Sequence, residues 1–158
     1  MIVIPGPNGR VDELVGIESE PVVKKIEKRS IELFADAIGD PNPLFTNEIL
    51  ARKGPYGGLV APPTFLRSII PNQLPIRIGY PYTAKLDGGS EWEYFEPVRL
   101  GDLITHFEKI VEVYKRDGRL GNMLFVIREG CYINQFETLV VLERSMGIYY
   151  KPMGDDGP

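Results

Sequence analysis

Cysteine and histidine, which build many catalytic and metal sites, are nearly missing from this sequence. Its 158 residues contain one cysteine, Cys131, and one histidine, His106. A single cysteine cannot form an internal disulfide, which favours a reducing, cytoplasmic setting. One cysteine and one histidine also exclude a Cys₂His₂ or Cys₄ zinc site within the chain, and any Ser–His–Asp mechanism would have to use His106. We therefore expect no metal and no cofactor.

Long apolar runs and basic clusters are missing as well. No segment approaches the ~20 apolar residues of a membrane-spanning helix. The apolar start, residues 1–4, is interrupted by Pro5 and is too short for a signal peptide. With 18 basic and 22 acidic residues the formal net charge is −4, which argues against nucleic acid as the main partner. The sequence predicts a cytoplasmic protein without a membrane span.

What is present suits one globular domain. Apolar residues make up 43% of the chain, enough to bury a core at this length. Both ends are rich in proline, glycine and other turn residues, and we expect them to fray. The predicted organisation is a flexible N-terminus at 1–11, one domain at 12–150 and a flexible C-terminal tail at 151–158.

The first half of the chain is predicted to be mainly helical. A short strand is expected at 22–27, and helical spacing of apolar residues at 29–38 predicts an amphipathic helix that ends at Gly39. Two prolines then impose a loop region at 40–62, with a helical turn near 47–52. Proline at 62 and 63 suits a first helical turn, so a buried helix is expected at 62–70.

Alternating patterns in the second half predict an antiparallel sheet. Strands are expected near 85–95, 103–115, 121–133 and 136–150, with a hairpin turn at 116–119. A buried helix ahead of four long strands indicates an α+β fold whose sheet wraps the helix. In that sheet His106 lies at a sheet-face or solvated position, with Ile104, Glu108 and Ile110 as its same-face neighbours.

Two short segments have the residue types of a site. In the first, prolines stiffen a loop that carries Asp40 and Asn42, although both side chains could simply form Asx turns. In the second, Gly57 and Gly58 precede a helix start, where free N–H groups favour an oxyanion or a polarised carbonyl. Pro62 and Pro63 have no N–H, so a donor has to come from residues 57–59 or from Thr64 onward.

Three ordered motifs resemble the MaoC-like family of (R)-specific enoyl-thioester hydratases and 3-hydroxyacyl-thioester dehydratases. They are residues 39–44 (GDPNPL), 58–65 (GLVAPPTF) and 95–102 (FEPVRLGD). Residues 88–94 (GGSEWEY) and 143–145 (ERS) resemble, more narrowly, the FAS1-like N-terminal dehydratase domains of that family. The resemblance implies a hot-dog fold, in which an antiparallel sheet wraps a central α-helix, and two units usually join their sheets edge to edge.

The resemblance also implies a reaction, the syn addition of water to a trans-2-enoyl thioester or its reverse. In the family an aspartate and a histidine activate the water, and a backbone N–H at the start of the central helix polarises the thioester carbonyl. Asp40 and Asn42 match the catalytic motif. The substrate-binding candidates are seven residues around the loop and the helix start: Phe45, Gly57, Gly58, Leu59, Pro62, Thr64 and Phe65.

The histidine of the motif is replaced in this sequence. Its position, five residues after Asp40, is occupied by Phe45, and a second histidine position of the family is occupied by Asp87. A phenyl ring cannot transfer a proton, and general acid–base catalysis typically contributes about 10²–10⁴-fold. The leading hypothesis is therefore an acyl-binding subunit that pairs with a second MaoC-like chain carrying the intact Asp–His motif.

Two alternatives remain open. A homodimer using Asp40 alone could act as a hydratase or a thioesterase, since fold does not decide function. The chain could also be a non-catalytic acyl-CoA-binding protein in which Phe45 narrows the pocket. In each case the ligand is an acyl thioester of coenzyme A or of an acyl carrier protein.

Overall fold

The computed structural model describes residues 2–4 and 10–152 of the chain. In this part of the chain the helices are α1 (Lys28–Ala37), α2 (Pro43–Thr46) and α3 (Glu48–Lys53), with 3₁₀ helices at Val11–Leu14 and Pro63–Ser68. The strands are β1 (Ile2–Ile4), β2 (Val22–Lys25), β3 (Ile76–Ile78), β4 (Ala84–Tyr94), β5 (Leu103–Gly118), β6 (Gly121–Ile133) and β7 (Leu139–Tyr150). None of the described helices is both long and apolar enough to cross a membrane.

Five strands form one curved antiparallel sheet in the order β2-β5-β6-β7-β4. Consecutive hairpins join β5, β6 and β7, while β2 and β4 form the two edges. A register shift between Asp87 and Ser90 places a bulge in β4 at the glycine pair. Separately, β1 pairs in parallel with β3.

The strand predictions are confirmed, with one correction at the hairpin. The four long strands fall where alternation placed them. The turn, however, is not at 116–119, because β5 continues to Gly118, which pairs with Gly121. The two-residue connection is Arg119 and Leu120, and Gly121 adopts a positive φ of 82° beside it.

The ends of the chain are only partly described. Alternation did not predict β1 or β3, and residues 2–4 of the expected flexible N-terminus lie in β1. Residues 5–9 and 153–158, which belong to the expected flexible ends, lie outside the described residues. The domain boundaries at 12 and 150 therefore stay a prediction.

Helix α1 forms as its apolar spacing predicts. Its buried residues Ile31 and Ala35 stand four positions apart, on one face. Gly39 follows with φ of 69°, the left-handed conformation that commonly ends helices. The loop region at 40–62 contains the predicted turn as α3 and, in addition, the short helix α2.

The predicted central α-helix at 62–70 is wrong in type and length. The segment is a 3₁₀ helix of six residues, Pro63–Ser68. The N–H groups of Phe65 and Ile69 donate to the carbonyls three residues before them, Pro62 O and Leu66 O, and Pro71 prevents the helix from continuing. Phe65 and Leu66 are nevertheless buried on the sheet, and Phe65 packs edge-on against Phe34 of α1 with ring centroids 5.5 Å apart.

Two apolar clusters share the concave face of the sheet. One contains α1, the 3₁₀ helix Pro63–Ser68 and, from the sheet, Ile104, Tyr132 and Val141. The other lies toward the far end of the same strands around Ile110 and Leu124. Strand alternation places the side chains between these two clusters on the same face. Several of them are charged, which is described below.

Candidate functional site

The loop that carries Asp40 and Asn42 is held by its own side chains. Asp40 Oδ1 accepts a hydrogen bond from the Asn42 N–H at 3.0 Å, and Asn42 Oδ1 accepts one from the Leu44 N–H at 3.0 Å. Asn42 thereby caps the N-terminus of α2. Both side chains thus make the local turns that the sequence allowed as an alternative. A catalytic role for either one remains a prediction.

Phe45 is part of the core. Its exposed fraction is 7%, and it belongs to the apolar cluster that includes Phe65 and Val60. Phe45 also lines a cavity of about 430 Å³ beside the 3₁₀ helix Pro63–Ser68. The position that corresponds to the histidine of the MaoC-like motif therefore has an apolar side chain in apolar surroundings.

The cavity at Phe45 is an apolar recess close to the motifs. It opens between the loop after α1 and the end of β4, and its lining is Leu44, Phe45, Tyr56, Val60, Ala61, Pro62, Pro63, Leu66, Tyr94, Phe95, Glu96, Pro97 and Val98. Asp40 instead borders a separate depression of about 380 Å³ with Glu32 and Asp36. The structure therefore brings the motifs to neighbouring recesses, with Asp40 outside the apolar one.

Only part of the predicted substrate-binding set reaches the apolar cavity. Phe45 and Pro62 line it, whereas Gly57, Gly58 and Thr64 lie outside its lining. Leu59 and Phe65 are buried, with exposed fractions of 2% and 4%. Tyr56, directly before the glycine pair, lines the cavity and was missed, because a lone tyrosine in a loop gives no pattern in sequence.

Hydrogen bonds narrow the choice of backbone donors. The Gly57 N–H donates to Gly54 O at 3.3 Å, and the Phe65 N–H donates to Pro62 O at 2.9 Å. Among the donors considered at this helix start, Gly58, Leu59 and Thr64 therefore remain. The Tyr94 hydroxyl donates to Pro63 O at 2.9 Å and fixes the start of the 3₁₀ helix against β4.

His106 is buried in the sheet. It is 1% exposed, so the sheet-face interpretation is confirmed and the solvated one is wrong. Its Nδ1 lies 3.1 Å from Cys131 O, and its ring stacks on Tyr132 with centroids 4.0 Å apart. Burial lowers the pKa of His106, which favours the neutral ring. The imidazole thus serves packing and lies outside the lining of the apolar cavity.

A belt of charged side chains crosses the concave face between the two apolar clusters. Arg128 and Glu108 pair at 3.2 Å, with side chains only 19% and 16% exposed. Glu143 accepts a hydrogen bond from the Tyr132 hydroxyl at 3.3 Å, and burial raises the pKa of its carboxyl. We call Arg67, Lys85, Asp87, Glu108, Arg128 and Glu143 the polar belt. In the sequence, the polar belt was indicated only by Glu108, a charged residue two positions after His106 on the same face of the strand.

The side chains that could bind a metal are not grouped into a metal centre in the described residues. Among residues 2–4 and 10–152, no group of three or more histidine, cysteine, aspartate or glutamate side chains is placed to hold a metal ion. The carboxylates near the motifs are those of Asp40, Glu32 and Asp36 at one recess and Glu96 at the apolar cavity.

Comparison with known proteins identifies the family. The sequence profile described as "FAS1-like, dehydratase domain region" matches residues 13–143. The chain belongs to this family. The match covers most of the structured core, from the first 3₁₀ helix into β7.

Solved structures share the fold of this FAS1-like dehydratase domain. A MaoC-like dehydratase from Rhodospirillum rubrum superposes with a TM-score of 0.70 at 22% identity, covering 89% of this chain and 96% of that one. The ChsH1-ChsH2 complex from Mycobacterium tuberculosis gives 0.74 at 19% identity, covering 87% and 90%. The HadBC (3R-hydroxyacyl-ACP dehydratase) complex from the same organism gives 0.67 at 20% identity, covering 85% and 96%. The predicted hot-dog fold is confirmed.

Curated relatives match over a shorter stretch. A UPF0336 protein of Streptomyces avermitilis is 34% identical over 87 residues, which is 51% of this chain and 57% of the relative. The FAS1-like dehydratase domain thus spans little more than half the length of the first curated relatives that it matches.

Proposed function

We propose that this chain is the acyl-binding subunit of an (R)-specific enoyl-thioester hydratase or 3-hydroxyacyl-thioester dehydratase. It pairs with a second MaoC-like chain that supplies the Asp–His motif. Family membership supports the reaction class. The division of labour rests on one observation, the burial of Phe45 at the position of the motif's histidine.

The surroundings of Phe45 argue against a hidden acid–base group in the apolar cavity. Its lining contains one ionisable carboxyl, that of Glu96, and the cavity wall is otherwise built from apolar, tyrosine and proline residues. His106 cannot substitute, because it is buried beneath Tyr132 in the sheet. A recess of about 430 Å³ with such a wall suits an alkyl chain. It supplies binding surface for the acyl group and leaves proton transfer to the partner.

The edge strand β4 is the proposed pairing surface. It presents eleven residues at the border of the sheet, and Leu86 and Tyr94 on it are 43% and 45% exposed. Phe95, directly after the strand, is 47% exposed and also lines the apolar cavity. Pairing of a second sheet along β4 would cover these side chains and satisfy the open backbone groups of the edge. It would also bring the partner's residues beside the cavity.

Two structural neighbours are complexes of two different chains by their names, ChsH1-ChsH2 and HadBC. At 19% and 20% identity they establish the fold of this chain and nothing about its partner. They do support the choice of a heteromeric assembly as the first one to test.

The decisive experiment compares the chain alone with the chain co-expressed with a MaoC-like chain from an adjacent gene that has an intact Asp-x-Asn-Pro-x-His motif. Hydration of crotonyl-CoA and of longer enoyl-CoAs is followed for both preparations. We expect turnover only in the co-purified complex. In that complex, replacing the histidine of the partner's motif abolishes turnover, whereas Asp40→Asn in this chain leaves most of it.

Robust hydration by the verified homo-oligomer, lost on Asp40→Asn, would contradict the pairing and favour a self-sufficient enzyme. Release of free thiol from acyl-CoA by the chain alone would instead identify a thioesterase using Asp40. Thermal stabilisation by acyl-CoA without turnover in every partner combination would identify a non-catalytic acyl-binding protein.

A further inference from the structure

The polar belt surrounds a second recess on the concave face of the sheet, apart from the apolar cavity. This recess has a volume of about 190 Å³, and besides the belt it is lined by Ser90, Ser145 and Met146. An adjoining recess of about 380 Å³ shares Lys85, Glu108 and Arg128 with it. The belt therefore borders two recesses that share three of its side chains.

The ion pair at the centre of the belt carries a cost in desolvation. Arg128 and Glu108 lie between the two apolar clusters, with less than a fifth of each side chain exposed. Desolvation of such a pair commonly offsets its attraction, so apolar residues in its place would serve stability as well or better. In addition, within residues 10–152 the buried Nε–H of Arg128 has no hydrogen-bond partner. The pair is therefore better explained by a ligand than by folding.

Two cations of the belt converge on one point. A Cβ atom placed on Gly147 would lie 3.3 Å from Lys85 Cε and 3.4 Å from Arg128 Nη2, so both side chains pass over this glycine. Lys85 is an exposed residue, and its ammonium lies over the Tyr149 ring, 5.6 Å from the ring centroid. Burial and then the neighbouring Arg128 lower the pKa of Lys85, while Glu108 and Asp87 act in the opposite direction. An anion bound between the two cations would offset the repulsion between them.

Each carboxylate of the belt accepts a hydrogen bond. Glu108 accepts from Arg128 at 3.2 Å, Glu143 accepts from the Tyr132 hydroxyl at 3.3 Å, and Asp87 accepts from the Gly89 N–H at 2.9 Å. The belt thus has three carboxylates and three cations, and the buried donor without a hydrogen-bond partner within residues 10–152 is the Arg128 Nε–H. An oxygen acceptor on a ligand would satisfy this donor, and a carboxylate forms the strongest such contact with a guanidinium.

We propose that the polar belt is a binding site for a carboxylate carried on a short aliphatic stem, with Lys85 and Arg128 as its two charged contacts. The stem lies in the adjoining recess beside Leu74 and Ile76. The carboxylate can belong to a free dicarboxylic acid or to the far end of an acyl thioester. The site does not depend on the function proposed above.

The test uses the full chain and isothermal titration with glutarate, against glutaramide as a neutral molecule of the same length. We expect glutarate to bind and to raise the thermal unfolding midpoint, and glutaramide to do neither. Lys85→Met, which keeps the aliphatic stem, is expected to weaken binding by about tenfold or more, since a charge-assisted contact is lost. Lys24→Met, on the opposite edge strand β2, is the matched control and is expected to bind like the unsubstituted chain.

Arg128→Gln is expected to abolish binding, and if that variant does not fold, Lys85→Met decides. Glutaryl-CoA and pentanoyl-CoA then identify the source of the carboxylate. Tighter binding of glutaryl-CoA than of both glutarate and pentanoyl-CoA assigns it to an acyl group, and equal binding of glutarate and glutaryl-CoA assigns it to a free acid. Binding of glutaramide as tight as that of glutarate, or unchanged binding by Lys85→Met, would overturn the site.

Discussion

Phe45 and Glu143 are two residues whose chemistry contrasts with their position in the fold. The phenyl ring of Phe45 packs into the core. The motif that this segment resembles in the MaoC-like family has a histidine at this position, which transfers a proton. Glu143 shows the reverse case, a carboxyl group on the apolar side of a sheet. Its side chain is 14% exposed, and Arg67 lies 3.8 Å away, too far for a strong compensating contact. Burial dominates and raises its pKa.

The raised pKa of Glu143 makes stability depend on pH in a defined direction. Below the ordinary value of 4.5 the carboxyl is protonated in both the folded and the unfolded chain. Between that value and the raised folded pKa, the unfolded chain releases the proton first, so the free energy of unfolding falls as pH rises. Glu143→Gln cannot ionise, and its stability relative to the unsubstituted chain is expected to increase over that window and then to level off.

Urea unfolding of both proteins at a series of pH values from below 4.5 to neutrality measures this difference. Glu91→Gln, at an exposed position of β4, is the control for a general effect of removing one negative charge. A difference between Glu143→Gln and the unsubstituted chain that is constant with pH would contradict the prediction.

At the scale of elements, the 3₁₀ helix Pro63–Ser68 depends on its contacts with the sheet. Six residues in this geometry have little stability of their own. The helix is held by burial of Phe65 and Leu66 and by the hydrogen bond from the Tyr94 hydroxyl to Pro63 O. Strand β4 therefore positions both the helix start and the mouth of the apolar cavity.

Tyr94→Phe removes that hydrogen bond and keeps the ring. We expect a loss of about 1 kcal/mol in the free energy of unfolding, the usual net contribution of one hydrogen bond. Tyr56→Phe is the matched control, since among the described residues the Tyr56 hydroxyl has no hydrogen-bond partner and it borders the same cavity. Equal effects of the two substitutions, measured by urea unfolding, would show that Tyr94 contributes through its ring alone.

At the scale of the whole molecule, the sheet has two unequal edges. Strand β2 has four residues, whereas β4 has eleven and borders the apolar cavity through Tyr94. A long unpaired edge is a surface on which another sheet can continue. The proposed assembly uses β4 and leaves β2 free.

Hydrogen–deuterium exchange tests which edge is used. When the partner chain is added, amides of β4 (Ala84–Tyr94) are expected to exchange more slowly, by tenfold or more, because they acquire hydrogen bonds in the joined sheet. Amides of β2 (Val22–Lys25) are the internal control and are expected to keep their rate. Protection of β2 alone, or of neither edge in a verified complex, would contradict edge pairing through β4.

Local patterns in the sequence were enough to place most elements. Apolar spacing at Ile31 and Ala35 located α1, the glycine at 39 ended it, and strict alternation located the four long strands. These signals suffice because a helix or a strand buries one face at a fixed period. The segment at 62–70 also has helical spacing, but its prolines and its tertiary contacts favour a shorter 3₁₀ helix.

Sequence by itself determined the family resemblance, the strand alternation and the loss of the motif's histidine at Phe45, since all of these are properties of neighbouring residues. Tertiary structure decided which residues share a space. It placed Phe45 and Tyr94 on one apolar cavity and left Asp40 outside the lining of that cavity. It also joined Arg67, far along the chain, to Glu143 on β7. Contacts between such distant positions depend on strand order and register, which no local period encodes.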